Sequence, residues 1–216
     1  MLIADRAALL LLDAGGRRLL PARAARGLLA GALLAELVLE GRVDADPGSG
    51  ALRVLPGQEA APRLAAALAV VAARPTPAAR CVRALAARPL WEEALAALAG
   101  YDALREARTR RLLLWSSVRW PVDAAVADPV REAVRTALAA AGDRSRARAV
   151  DPGTASLVLL LSAAGCLRGV VPGLPAEPDP DEAAAALGVA RRLPGAAREA
   201  LEDVDAAVAA LARSAP

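Results

Sequence analysis

What most constrains this chain is the material it has for filling a core. Aromatic residues make up only 2% of its 216 positions, and Phe is missing altogether. Any interior must therefore be aliphatic. The aliphatic supply is mostly Ala and Leu, both strong helix formers. A chain of 216 residues has ample length to bury such a core in one large domain. These facts point to a mainly α protein: a single globular helical domain over residues 1–216, with a buried central apolar helix and small β-hairpins.

The spacing of apolar residues places the elements. Ile3–Leu12 reads as a helix stopped by Asp13-Ala14-Gly15-Gly16. In Ala22–Glu40, Ala30, Leu33, Leu34, Leu37 and Val38 recur at threes and fours, while Glu36 and Glu40 mark a polar edge. Val43 and Ala45 alternate with charged residues, Asp46-Pro-Gly-Ser-Gly50 turns the chain, and Ala51–Leu55 returns, so a hairpin is expected there. Pro62–Ala72, Ala78–Ala87 and Leu90–Tyr101 predict three helices, the first two separated by Arg74-Pro-Thr-Pro77. A basic stretch from Leu104 runs into Leu112-Leu-Leu-Trp115 without a helical stripe and ends at Arg119-Trp120-Pro121, which predicts a second hairpin. Asp128-Pro129 predicts a capped helix start running to Ala141. Asp151-Pro152 predicts a continuous apolar helix over 153–170. After a Pro-rich loop over 172–180, helices are expected at Asp181–Arg192 and Pro194–Arg213.

The same composition narrows the chemistry. With no His, the chain lacks the side chain that titrates nearest neutral pH, so Ser–His and Cys–His nucleophiles are excluded. Cys81 and Cys166 stand far apart with no C-x-x-C, which gives no support for a metal site and fits buried, reduced thiols in an intracellular protein. Phosphate-loop, dinucleotide-loop and nucleophile-elbow motifs are all missing. The acidic pairs Glu92-Glu93 and Glu177-Pro-Asp-Pro-Asp-Glu182 read as a solvated helix face and a helix N-terminal cluster. No enzyme activity, cofactor or metal is expected. The longest apolar run, Ala155–Leu167, falls short of the roughly twenty residues that span a bilayer, and nothing at the N-terminus reads as a signal peptide.

What remains is a binding surface. All the basic residues are Arg, and the net charge is +3. Arg105, Arg108, Arg110 and Arg111 crowd ahead of Leu113, Leu114 and Trp115, with Arg119 and Trp120 following. Arg attracts anionic head groups and Trp prefers the membrane interface, so this hairpin has the composition of a membrane-facing element. The same residues serve equally well as a buried or oligomerisation surface, with the Arg residues merely solvated. Nucleic acid is not an expected partner, because the few aromatic residues make no stacking platform and no recognition motif is present.

The order of segments resembles a known family. Leu9-Leu-Leu-Leu-Asp13 with Gly16-Arg17, followed by Leu29-Ala-Gly-Ala-Leu-Leu-Ala-Glu-Leu-Val-Leu-Glu-Gly-Arg-Val43, is similar to the opening of the Golgi phosphoprotein 3 family, bacterial members included. Leu113-Leu-Trp-Ser-Ser-Val-Arg-Trp-Pro121 looks like that family's second hairpin strand and its turn, and the helix from Asp151 looks like its central helix. The resemblance covers residues 2–213. It implies a cytoplasmic helical domain that docks peripherally on membranes by binding phosphatidylinositol 4-phosphate, as an adaptor and not an enzyme, with possible self-association. It also implies a head-group site made by a Trp and an Arg around the second helix, together with two Arg three residues apart on a later helix. In this chain Pro21 and Ala30 stand near the first two positions, Arg88 matches the third, and Trp91 occupies the fourth. Arg26, one turn before Ala30, and Arg23, a further turn back, are near enough to serve the same pocket. The expected head-group residues are therefore Arg23, Arg26, Arg88 and Trp91. The alternative is a self-associating scaffold that keeps the fold without binding lipid.

Overall fold

The computed structural model describes residues 1–214 except 47, 105–106, 112–114, 141–142 and 175–192; for 107–111, 115–119 and 144 it describes the backbone alone. The fold is mainly α. Helix α1 (Ile3–Leu10) packs on α2 (Ala22–Leu39), whose residues from Ala24 onward are almost all buried. A short antiparallel sheet follows, in the order β1 (Val43–Ala45), β2 (Ala51–Val54), β3 (Thr76–Pro77). Helices α3 (Pro62–Ala72), α4 (Ala78–Ala86) and α5 (Leu90–Gly100) lead to the hairpin β4 (Ala107–Arg111) and β5 (Trp115–Arg119). Then come α6 (Ala124–Ala140), α7 (Arg144–Ala149), α8 (Pro152–Ala163), α9 (Leu167–Val170) and α10 (Gly195–Arg213).

The aliphatic core dictates close helix packing. Helix α8 is buried on every side from Thr154 to Ala163, which makes it the central apolar helix. Helix α10 lies along α2, and the approach depends on two glycines one turn apart. A Cβ on Gly27 would run into Leu211, and one on Gly31 into Val208. Small residues at such a crossing let the backbones come together, so dispersion contacts make up for side chains that are individually small. Where polar groups enter the core they are tied. Asp5, 1% exposed, accepts the Leu2 N–H and pairs with Arg63 from α3. The Glu36 carboxylate accepts the Ile3 N–H at 2.6 Å and so anchors the start of α1. Burial is the main influence on Glu36 and raises its pKa.

Both hairpins form where the sequence predicts them. In the first, Asp46 organises the turn by accepting from the Ser49 N–H and hydroxyl, and Gly50 takes φ 65°. Asp44 faces Arg53 across the strands, bonded at 2.7 Å. In the second, Arg111 pairs with Trp115 at the closed end and Ala107 with Arg119 at the base.

Three expectations are corrected. Helix α6 does not begin at Asp128-Pro129. It starts five residues earlier, where Asp123 caps it by accepting the Ala125 N–H at 2.9 Å. Pro129 lies inside the helix and Asp128 pairs with Arg131 instead. Starting early buries Ala127 completely, at the loss of one backbone bond that proline cannot donate. The apolar helix over 153–170 is not continuous. It breaks at Gly165, where φ is 64° and the Cys166 N–H reaches back to the Leu161 carbonyl, giving α8 and α9. Arg74-Pro-Thr-Pro77 is more than a separator, since Thr76 pairs with Leu52 as a third strand. Helix α7, capped by Asp143, was not foreseen at all. The expected helix at 181–192 lies outside the described residues. Among the described residues, no helix is long and apolar enough to cross a membrane.

Candidate functional site

The turn after α1 builds one wall of a cavity. Leu12 bridges Arg18, and the Asp13 carboxylate accepts the Arg17 N–H at 2.8 Å, closing a tight loop with Gly16 at φ 72°. Gly16 is there for two reasons. The conformation is left-handed, and a Cβ would stand 2.5 Å from the Trp120 carbonyl. The loop is thus pressed against the base of the second hairpin, which Leu104 and Val122 close by a bridge of their own.

Trp91 forms the opposite wall. It lies in the first turn of α5, 7% exposed, beside Leu95. The Arg18 guanidinium stands over its ring, 5.3 Å from the centroid. Arg18 Nε donates to the Leu20 carbonyl at 2.8 Å, which fixes the fork and keeps the terminal nitrogens from being needed for that bond. Leu12, Gly16, Arg18, Trp91, Glu92, Leu95, Ala96 and Trp120 enclose about 680 Å³. An aromatic floor below a tethered guanidinium is a cation–π arrangement. It orients the cation without neutralising it, and Arg18 shares the recess with the Glu92 carboxylate, with which no ion pair is formed among the described residues. Chemically, this is a recess suited to a phosphate or carboxylate.

The predicted head-group residues do not all gather there. Trp91 lines this recess. Arg88, at the α4–α5 junction, bonds Glu93 at 3.3 Å and lines a different cavity together with Arg74 and Arg80. Arg23 is exposed in the first turn of α2. Arg26 is half-buried, and its Nε is enclosed with no hydrogen-bond partner among the described residues. Neither lines either cavity. For the hairpin group, Arg108, Arg110, Arg111 and Trp115 lie on the paired strands, whereas Leu113 and Leu114 lie outside the described residues. Sequence reasoning missed Arg18. It belongs to no helical stripe, and its partner Trp91 is 73 positions away, so spacing carried no signal for the pair. Cys81 and Cys166 are buried thiols that donate to the Thr76 and Leu161 carbonyls, and burial raises the pKa of the Cys81 thiol.

Against this geometry, a family model described as Golgi phosphoprotein 3 (GPP34) matches residues 3–209. The chain belongs to the Golgi phosphoprotein 3 family. The match spans every element that shapes the recess, from α1 through Trp120. No curated protein matches the chain by direct sequence comparison.

Proposed function

We propose that the protein binds an anionic phospholipid head group of the phosphatidylinositol 4-phosphate type and docks peripherally on membranes from the cytoplasmic side as an adaptor, not an enzyme. The observation that carries this reading is the Arg18 guanidinium held over Trp91 in a recess at the base of the hairpin, in a chain of this family. A phosphate monoester takes charge-assisted hydrogen bonds from a guanidinium fork, and the indole gives the sugar ring an apolar surface to rest on. Because Trp91 stands where the resemblance calls for Arg, Arg18 takes over the cationic role in this chain. Arg23, Arg26 and Arg88 add positive potential on neighbouring elements. Arg108, Arg110 and Arg111 of the hairpin would each add about 1 kcal/mol of attraction to an anionic surface. Leu113, Leu114 and Trp115 are the residues we assign to the membrane interface.

Flotation with vesicles of phosphatidylcholine, with and without phosphatidylinositol 4-phosphate, tests the reading. Lipid-dependent flotation at low salt is the expected result, and none at any salt would sink it. The competing reading is a self-associating scaffold that has lost the lipid site. The replacement of a family Arg by Trp91 favours it, and it predicts a stable oligomer indifferent to lipid.

A further inference from the structure

Residues 60–91 contain five Arg and no acidic residue. Arg63 is engaged by Asp5 and Arg88 by Glu93. Arg74 and Arg80 are exposed, and among the described residues neither has an ion-pair partner. These cations rim a trough of about 640 Å³ between α3 and α4, whose floor is Ala66, Ala69, Val70, Ala73 and Ala84. The trough shares no lining residue with the Trp91 recess.

We infer that this trough is a docking groove for an acidic amphipathic helix of a partner protein. Three features select that occupant. First, the floor residues of α3 recur at threes and fours and are small, so a helix can settle with its backbone close to theirs. Second, the cations stand at both ends of the trough and do not converge. Arg74 and Arg80 mark one end, and Arg88 lies eight residues along α4 and its cap, roughly 12 Å away at 1.5 Å per residue. That distance is too great for one phosphate or carboxylate to bridge. It matches carboxylates about two turns apart on one helix. Third, the lining offers no large apolar side chain to insert among lipid chains, so a bilayer surface is a poor complement. The trough's own lining carries Arg74, Arg80 and Arg88 and no acidic residue, and among the described residues only Arg88 is paired, with Glu93 outside the lining, so the partner helix must bring the acids.

The test uses the full chain and a labelled synthetic helix of about 20 residues, with an Ala/Leu stripe flanked by Glu at seven-residue intervals. Fluorescence anisotropy should show saturable binding. The charge reversal Arg74→Glu/Arg80→Glu should weaken it at least about tenfold, as should replacing the peptide's Glu by Gln. Ala84→Trp, which fills the trough without altering charge, should weaken it too, whereas Arg18→Ala should leave it unchanged. No saturable binding would overturn the inference. So would affinity kept within about twofold for the Gln peptide or for the charge-reversed chain. Binding to phosphatidylserine vesicles that the charge reversal abolishes, with the peptide failing to bind, would assign the face to a membrane and likewise overturn it.

Discussion

Replacing Asp205 by Asn should make the protein's stability less dependent on pH, with the variant gaining on wild type as the pH rises. Asp205 lies on α10, where its Oδ1 is sealed from solvent and has no hydrogen-bond partner among the described residues. Burial, aided by the nearby Glu202 charge, raises its pKa from 3.8 to about 8. The direction follows from linkage. In the unfolded chain the group ionises near pH 4, while in the folded protein it stays protonated until about pH 8. Stability is therefore whole below about pH 4 and drains away as the pH climbs toward 8. Each unit of divergence is worth 1.36 kcal/mol, so the drain between pH 4 and pH 7 is on the order of 4 kcal/mol. The rest of the residue is partly accessible, which eases the charge penalty and brings the expected loss to between about 2 and 4 kcal/mol. Asn keeps the shape and cannot ionise, at about 1–3 kcal/mol for an unmatched amide. Urea unfolding of wild type and Asp205→Asn at pH 5 and pH 8 reads the difference. The wild type should lose stability across that interval, and the variant should lose clearly less. Parallel losses in the two proteins would refute the assignment of a buried, protonated Asp205.

Three further outcomes follow from the packing and the recess. Arg63→Ala leaves the Asp5 carboxylate buried without its partner and should cost about 3–5 kcal/mol in chemical denaturation, whereas Arg53→Ala, which removes an exposed guanidinium, should cost clearly less. Gly31→Val drives a branched side chain into Val208 and Leu160 at the α2–α10 crossing, and differential scanning calorimetry should show a loss of about 1–3 kcal/mol or more. Gly16→Ala should weaken vesicle binding with little change in the α-helical circular dichroism signal, because the added Cβ pushes the loop that carries Arg18 away from Trp120.

Much of the fold was legible because an Ala/Leu chain has few ways to bury itself. The stripe Ala30, Leu33, Leu34, Leu37 and Val38 lies in the core as its spacing requires, and Asp151 caps α8 by accepting the Thr154 N–H at 2.9 Å. There burial opposes ionisation, but the hydrogen bonds from Thr154 prevail and hold the Asp151 carboxyl below its ordinary pKa. The same Asp-Pro signal misled at Asp128-Pro129. Local cues cannot show that an upstream Asp123 also caps and that Ala127 has a core to enter. Gly165 was hidden inside an apolar run whose hydrophobicity continues past the break. β3 is two residues long, too short for alternation to show. The site was least legible. Trp91 was reached through the family resemblance, but Arg18 gains its meaning only from a contact between the turn after α1 and the first turn of α5.

The most direct test of the central claim is vesicle binding by wild type and Arg18→Ala, measured by co-sedimentation with phosphatidylinositol 4-phosphate vesicles at low salt. The guanidinium's charge-assisted hydrogen bonds are worth about 1.5–3 kcal/mol, so the variant should bind roughly 10- to 100-fold more weakly while keeping its melting temperature. Equal binding by the two proteins would contradict the assignment of the head group to the Arg18–Trp91 recess.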